Sequence, residues 1–465
     1  MSNVKKNFIY NSAYQLLAII TPLITTPYLS RVLGASGIGR YSYSYTVAQY
    51  FAIFILLGLN NYGNRTIAMV KGNKDKLSKT FWSIYFMQCI CSVIVIVLYL
   101  IYVFMISGDR TIAMLQFIYI LSVSFDINWF FFGMEKFKIT VTRNTFIKLI
   151  SVILIITCVK SKNDVYLYTV IMVGSQILSV LLLWPFLKKM IKFEYISIRD
   201  IIPHFKPNLI LFLPVIAISL YNKMDIIMVG AFSGDAEVGY YTNSEKLIQI
   251  PLSLITALGT VMLPRISNLI SEGNESVARK YFDYSILFVI FMASALCFGI
   301  MGISDKFVPW FFGPGFEKCI SLLMILLPCQ LFISFANVVR TQYLIPYKED
   351  KIYIKSVFLG AFINLILNIL LIPSLMSIGA SIGTLCAEAS VCIYQSYKVR
   401  NNLNIMESFM KILPFIFFGL IMYLCLSMFP IFSKNVVIDI GINVMLGGFI
   451  YVGMSLVYYK VYLKN

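Results

Sequence analysis

The chain has 465 residues, of which 59% are hydrophobic and 13% are charged, and its mean hydropathy is +0.82. A soluble protein of this length cannot bury so much apolar surface, which excludes soluble enzymes and soluble binding modules. The formal net charge of +17 is interpreted as a signal of orientation in a membrane and not of nucleic-acid binding. No cleavable signal peptide is expected, since the apolar segment after "MSNVKKNFIY" is too long for one.

Apolar spans long enough to cross a bilayer recur along the whole chain, with loop signals between them. Only helices satisfy their own backbone in lipid over such lengths, so we predict an all-α fold of about fourteen transmembrane helices. The predicted spans are 8–30, 41–63, 82–106, 111–133, 145–159, 165–187, 208–230, 239–262, 282–303, 319–339, 353–371, 379–397, 412–430 and 437–459.

Lysine and arginine are divided unequally between the two sides of the membrane. The termini and the even-numbered loops carry 28 of them, and the odd-numbered loops carry 8. Basic loops remain in the cytoplasm, so this asymmetry predicts that both termini are cytoplasmic. Because the predicted outer loops are short turns, we expect the function to reside among the helices.

Two stretches that lie 200 residues apart resemble each other. "GASGIGRYSYSYTVAQ" begins at Gly34 and "GDAEVGYYTNSEKLIQ" at Gly234, and "WFFFGMEKFKITVTRN" (129–144) is loosely echoed by "YLIPYKEDKIYIKS" (343–356). A six-helix unit therefore occurs twice in the same orientation, with predicted lobes at 1–200 and 201–400 and two further helices at 401–465. Parallel repeats of this kind are typical of transporters.

The chain offers little reactive chemistry. The nine cysteines lie mostly in apolar segments, include no C-x-x-C pair, and are interpreted as small buried hydrophobic residues. The single histidine, His204, is interpreted as a solvated loop residue, so a histidine-based metal site is not expected. No G-x-x-x-x-G-K-[ST] string occurs, which excludes nucleotide hydrolysis through a P-loop. We expect no cofactor and no metal.

Four charged residues fall inside predicted helices 7 and 8. Lys223, Asp225, Glu245 and Lys246 lie about ten residues from the turn near residue 235, so in an antiparallel hairpin they share one depth. A charge near the bilayer centre costs about 2.5–3.5 kcal/mol on insertion scales, and grouping reduces that cost. The quartet either pins helix 7 to helix 8 or forms the wall of a polar cavity, and both interpretations stay open.

Two further acids are candidates for ion coupling. Glu388 lies in the middle of predicted helix 12 without a basic residue in that helix's core, and burial would raise the pKa of its carboxyl towards proton exchange. A protonated carboxyl bonded to a neighbouring backbone group is the structural alternative. Asp126, in predicted helix 4, either couples an ion or pairs with Arg143, and Asp225 is the third coupling candidate.

Polar residues also form stripes in several predicted helices. Asn11 and Gln15 share a face of helix 1, and Asn364 and Asn368 lie four residues apart in helix 11. Such stripes often join neighbouring helices, but their presence in both predicted lobes favours a shared wet cavity. Arg31, at the outer end of helix 1, either attracts an anionic group or extends to the membrane interface.

The stretches "YLSRVLGASGIGRYSYSYTVAQYF" (28–51), "LLGLNNYGNRTIA" (56–68), "DINWFFFGMEKFK" (126–138) and "DIIMVGAFSGDAEVGYYTNSEKL" (225–247) resemble the Wzx-type oligosaccharide-lipid flippases. These belong to a superfamily that includes the MATE drug exporters. The resemblance covers essentially the whole chain. It implies two six-helix lobes around a central cavity, a bacterial cytoplasmic membrane location, and export of undecaprenyl-diphosphate-linked repeat units for O-antigen or capsule.

The resemblance also implies partners and roles for the charged residues. Lys223 and Lys246 would meet the diphosphate as point charges, and Arg31 would draw the phosphate outward. Asp225, Glu245, Asn364 and Asn368 would complete a polar cavity. The expected partners are the lipid-linked oligosaccharide, membrane lipids, H⁺ or Na⁺ as coupling ion, and polysaccharide polymerase machinery.

Three alternatives remain at this stage. A MATE-like exporter of small cations would need a cavity dominated by acids and aromatics, and the two lysines argue against it. A polysaccharide polymerase or lipid-linked glycosyltransferase would need a larger outer loop with catalytic groups, so we expect no enzyme. The third alternative is an exporter of a lipid-bound peptidoglycan precursor.

Overall fold

The computed structural model describes residues 2–428 and 433–463, and it describes side chains from residue 17 onward except those of residues 18, 19 and 463. Within these residues, thirteen helices are long and apolar enough to cross a membrane. The first predicted crossing and the second are merged in α1 (Ser2–Leu56), which a non-helical residue, Gly34, breaks into the segments 2–33 and 35–56. The prediction of an all-α membrane protein with about fourteen crossings is therefore confirmed.

The chain forms two compact units, Met1–Ile227 and Met228–Asn465, and each is described by itself. The predicted lobe boundaries at residues 200 and 400 remain a prediction. After α1, the first unit contains α2 (Leu59–Val70), α3 (Lys74–Met105), α4 (Arg110–Ser124), α5 (Asn128–Gly133), α6 (Phe137–Cys158), α7 (Val165–Leu181), α8 (Trp184–Leu187) and most of α9 (Ile198–Ser233). The second contains α10 (Asp235–Ser271), α11 (Glu275–Phe312), α12 (Lys318–Leu326), α13 (Cys329–Val339), α14 (Asp350–Leu375), α15 (Ser377–Val399), α16 (Ile405–Met428) and α17 (Val436–Tyr458).

The predicted repeat has a structural counterpart at its glycines. Gly34 has φ 70° and ψ 178°, and Gly234 has φ 84° and ψ 177°. L-residues with a side chain rarely adopt positive φ, so glycine is required where each unit changes direction between consecutive helices. The 200-residue offset seen in the sequence therefore marks the same backbone bend in both units.

The weaker echo in the sequence also corresponds to a shared turn. The backbone N–H of Lys136 donates to the carbonyl of Phe131 at 2.9 Å, and that of Glu349 donates to the carbonyl of Leu344 at 2.7 Å. The residue before each donor has a positive φ, 56° at Glu135 and 59° at Lys348. The units therefore share two distinct turns in the same order, which supports duplication of one supersecondary plan.

Helix α4 ends earlier than the sequence predicts. A continuous span was expected over 111–133, but the chain leaves the helix after Ser124 and begins α5 at Asn128. The side-chain amide of Gln88 donates to the carbonyls of Val123 and Asp126 at 2.9 and 3.0 Å, which satisfies backbone acceptors that the break leaves open. Asp126 therefore lies in the link between two helices.

Helix α9 begins earlier than predicted, at Ile198, so part of the expected loop 188–207 is helical. The carboxylate of Asp200 accepts hydrogen bonds from the backbone N–H and the hydroxyl of Ser197, at 3.1 and 3.0 Å. A Ser-x-x-Asp pair of this type stabilises a helix start. His204 consequently lies on a helix, half-buried, with its Nδ1 2.6 Å from the hydroxyl of Tyr62, and its interpretation as a solvated loop residue is wrong.

Helices α16 and α17, the predicted additional pair, pack against α11 within the second unit. The Nζ of Lys306 on α11 lies 2.9 Å from Oδ2 of Asp439 on α17, and both side chains are largely buried. The hydroxyl of Tyr451 donates to the carbonyl of Phe291 at 2.8 Å. The predicted span 282–303 ends before Lys306, but α11 continues to Phe312 and holds Lys306 in this buried ion pair.

Candidate functional site

The predicted charge Lys223 is held against helix α1 in the first unit. Its Nζ donates to Oε1 of Gln49 at 2.8 Å, and its side chain is half-buried. The hydroxyl of Tyr50 donates to the carbonyl of Ser219 at 3.1 Å, one turn before Lys223. The stretch "YTVAQYF", which belongs to the family resemblance, is therefore bonded to "SLYNKMD", the stretch that contains Lys223. Asp225, two residues further along α9, is 4% exposed.

A tyrosine cluster lies on the same face of α1 as Gln49. The ring centroids of Tyr41 and Tyr168 are 4.6 Å apart, and those of Tyr45 and Tyr119 are 5.1 Å apart. Tyr41, Tyr45 and Gln49 are spaced four residues apart, so they stand above one another on one helix face. Aromatic faces with adjacent hydroxyl and amide groups can pack against sugar rings and exchange hydrogen bonds with their hydroxyls. This spacing was readable in "RYSYSYTVAQ", but the sequence interpretation did not use it.

Asp126 belongs to a partly buried polar network in the first unit. Its Oδ1 accepts from the backbone N–H and the side-chain amide of Asn128, at 2.8 and 2.6 Å. Asn128 in turn accepts from Nη2 of Arg143 at 3.1 Å, and Arg143 also donates to Asn144 at 2.6 Å. Asp126 and Arg143 are thus connected through one asparagine, as the alternative of a structural partnership anticipates. Whether Asp126 also couples an ion stays a prediction.

In the second unit, Glu245 and Lys246 lie in the first third of α10, ten and eleven residues after its start at Asp235. The side chain of Lys246 is exposed, and that of Glu245 is half-buried. A lysine with an exposed side chain inside a membrane-crossing helix can meet an anion as a point charge. The expected common depth of this pair with Lys223 and Asp225 stays a prediction, because the two pairs belong to different units.

Glu388 lies half-buried on α15. One turn earlier on the same helix, the hydroxyl of Thr384 lies 3.1 Å from that of Tyr241 on α10, so the polar stripe of α15 faces a polar residue of its neighbour. The role of Glu388 in ion coupling stays a prediction.

Asn364 and Asn368 are fully buried between α14 and α15. The amide of Asn368 donates to Oδ1 of Asn364 at 3.0 Å, and Gly383 lies so close that a Cβ there would be 2.4 Å from Oδ1 of Asn368. Their position fits interhelical contact. Arg31 is exposed, and its Nη1 donates to the carbonyl of Pro27 at 3.1 Å. The side chains of Asn11 and Gln15 lie outside the described residues.

Each unit also joins three helix starts through a charged cluster that the sequence analysis missed. In the second unit, Glu237 on α10 lies 2.6 Å from Nζ of Lys318 on α12 and accepts a backbone hydrogen bond from Ser377 on α15 at 3.2 Å. In the first unit, Arg40 lies 3.6 Å from Asp109, which accepts from the hydroxyl of Tyr166 at 3.3 Å. The partners come from distant segments, so no local sequence signal pairs them.

A repeated set of membrane-crossing helices that carry polar and charged side chains within their spans is typical of a multi-pass membrane transporter. The chain belongs to the polysaccharide biosynthesis protein family, whose profile matches residues 4–270. The profile of the lipid II flippase MurJ matches residues 147–442. The sequence resemblance to the oligosaccharide-lipid flippases and their superfamily is thereby confirmed.

Similar proteins and structures agree with this assignment. An Escherichia coli K12 protein named as an O-antigen transporter is 24% identical over 406 residues, which cover 86% of this chain and 97% of the relative. The inward-closed structure of the lipid II flippase MurJ has a TM-score of 0.75 at 17% identity, covering 97% of this chain and 99% of that one. An inward-facing MATE transporter has a TM-score of 0.63 at 14% identity over 83% and 95%. Both structural matches describe the fold.

Proposed function

We propose that this protein flips undecaprenyl-diphosphate-linked oligosaccharide units from the inner to the outer leaflet of the bacterial cytoplasmic membrane, for O-antigen or capsule synthesis. The observation that carries the proposal is the family membership. The family profile matches residues 4–270, which include nearly all of the first unit. The near full-length relative named as an O-antigen transporter supports the substrate class. The protein would work by alternating access, perform no covalent chemistry, and deliver its cargo to polysaccharide polymerase machinery.

The lysines are proposed to meet the diphosphate. Lys223 lies ten residues before the end of α9 and is half-buried, and Lys246 lies eleven residues after the start of α10 and is exposed. An ammonium binds phosphate oxygens as a point charge. Asp225, Glu245 and Arg31 are proposed to tune the local charge, and Asn364 and Asn368 to hold the polar helices together. The tyrosine cluster of Tyr41, Tyr45, Tyr119 and Tyr168 is proposed to accompany them as a sugar-facing wall.

The test replaces Lys223 or Lys246 by Met and by Arg in cells that depend on this chain for surface polysaccharide. We expect Met to abolish export at normal protein levels and Arg to restore part of it, because Arg keeps the charge but changes the geometry. Exposed Lys280 is the matched control, and its replacement by Met should leave export unchanged. If a variant with apolar residues at Lys223, Asp225, Glu245 and Lys246 still exports, the quartet is structural.

Coupling to H⁺ or Na⁺ is proposed to use Glu388, with Asp126 and Asp225 as the next candidates. Alternating access needs an ion or ligand that favours one state over the other, because equal affinity for both states shifts nothing. We expect Glu388→Gln to uncouple transport from an imposed pH gradient while substrate still binds, and Glu388→Asp to be intermediate. If the Gln variant follows the gradient like the wild type, Glu388 is structural.

Both termini are proposed to face the cytoplasm, as the distribution of Lys and Arg predicts. Ser197 precedes α9 and Ser233 ends it, so single cysteines at these positions report opposite ends of one helix. An impermeant thiol reagent should label the cysteine at 233 in intact cells and that at 197 only after permeabilisation. Labelling of both from one side would overturn the topology.

A further inference from the structure

A groove of about 890 Å³ lies in the second unit between α15 and α16, and its floor is formed by residues of α11, α13 and α16. The floor is buried and apolar, formed by Ile290, Phe335 and Ile412. The walls include the exposed side chains of Ile393 and Phe409. None of the groups assigned to transport lines this groove, so its shape is not explained by the proposed function.

The mouth of the groove is polar and lies where α15 ends and α16 begins. Arg400, Asn401 and Asn404 line it, and all three are exposed. The guanidinium of Arg400 stacks on the ring of Tyr397 at 3.8 Å, and its Nη1 donates to the carbonyl of Tyr397 at 2.8 Å. Stacking fixes the plane of the guanidinium and leaves its edge available to a bidentate anion.

The acid at this mouth is already neutralised. Glu407 lines the groove, but its Oε1 lies 2.7 Å from Nζ of Lys411, and its Oε2 accepts from the amide of Asn404 at 3.2 Å. Lys398, in the last turn of α15, adds a second cation near the mouth, with its Nζ 6.0 Å from the centre of the ring of Tyr397, which lines the groove. The local balance of charge therefore favours an anion.

An apolar slot with a cationic mouth matches an amphipathic anion supplied by the bilayer. We propose that this groove binds one anionic phospholipid, with its phosphate against Arg400 and one acyl chain along Ile393, Phe409 and the floor. Basic residues at the membrane surface attract anionic lipids, and the charge count assigns this mouth to the cytoplasmic face. The bound lipid would fill the gap between α15 and α16 and fix α16 against the rest of the second unit.

The test measures lipid retention on the purified full-length protein by native mass spectrometry, with phosphatidylglycerol and phosphatidylcholine of identical acyl chains. We expect the wild type to retain phosphatidylglycerol preferentially and Arg400→Gln to lower that retention about fivefold, the loss expected for one basic residue at an anionic surface. Arg400→Lys should keep most of it. Arg265→Gln is the matched control, because Arg265 is exposed and lies over the Tyr281 ring at 5.8 Å but does not line the groove.

A second variant tests the slot without changing charge. Ser396 lines the groove, and Ser396→Trp should fill it and reduce retention of both lipids. Equal retention of the two lipids by the wild type, or no effect of Arg400→Gln, would overturn the proposal and leave only annular lipid. Displacement of the lipid by soluble glycerol phosphate would overturn it as well, because the acyl chain would then contribute nothing. Retention is measured without transport, so its failure leaves the proposed function untouched.

Discussion

The buried ion pair between Lys306 and Asp439 gives the sharpest stability prediction. The side chain of Asp439 is 3% exposed and that of Lys306 is 17% exposed, with 2.9 Å between Nζ and Oδ2. Replacing Asp439 by Leu leaves a mostly buried ammonium without its counter-charge, which typically costs 3–5 kcal/mol. Because Lys306 keeps some exposure, we expect about 3 kcal/mol, a fall in melting temperature of roughly 6–12 °C for a unit of this size.

The assay is thermal unfolding in detergent, followed with a fluorogenic thiol dye that reports exposure of Cys297, a buried residue of α11. The double variant Lys306→Met, Asp439→Leu should recover most of the loss, because apolar replacement of a whole buried pair is often neutral. Glu135→Gln is the control, since its pair with Lys71 is exposed and should not move the transition. If the single variant melts like the wild type, or the double variant melts as low as the single one, the assigned role of this pair is wrong.

Three other predictions concern packing and backbone. Gly379→Ala places a Cβ 2.6 Å from the backbone of Leu371 and should destabilise the protein by about 1–3 kcal/mol in the same melting assay. Gly174→Ala is its control, because a Cβ there meets nothing within 4 Å and the melting temperature should stay the same or rise. Gln88→Leu removes the amide donor to the carbonyls at the end of α4. We expect it to lower the free energy of unfolding by about 1–3 kcal/mol, measured by thermal unfolding. Gly234→Ala forces a side chain into positive φ, and we expect a loss of about 1–2 kcal/mol, with proteolysis near the bend as the readout.

The sequence predicts the helical class and the repeat, because hydrophobic length and recurring residues can be read directly from the chain. The length of each apolar stretch predicts the helix that crosses the membrane. The glycine that opens each repeat, Gly34 and Gly234, has a positive φ in both units. The start of α9 was also encoded locally, in Ser197 and Asp200, but the sequence analysis did not use this pair, and α9 contains Pro203 and Pro207 in the part that lies outside the predicted span. Proline lacks an N–H donor and weakens a helix, yet it does not end one when tertiary contacts support both sides.

The contacts that position the candidate groups could not be predicted, because they join residues far apart in the chain. Gln88 supports the break that holds Asp126, and Gln49 holds Lys223 across 174 positions. No spacing rule links such pairs. The charged residues themselves were visible from the sequence as anomalies inside apolar spans, while their partners became visible only in the fold.

The central claim is that this protein moves a lipid-linked oligosaccharide across the membrane. The most direct measurement reconstitutes the purified chain in vesicles that carry an undecaprenyl-diphosphate-linked oligosaccharide and follows the accessibility of its sugar to an impermeant glycosidase. We predict that wild-type protein makes the sugar of the inner-leaflet lipid accessible to the glycosidase much faster than in protein-free vesicles. The Lys223→Met, Lys246→Met double variant should not accelerate this exposure. Identical rates in wild-type and protein-free vesicles, with the protein shown to be folded, would contradict the account.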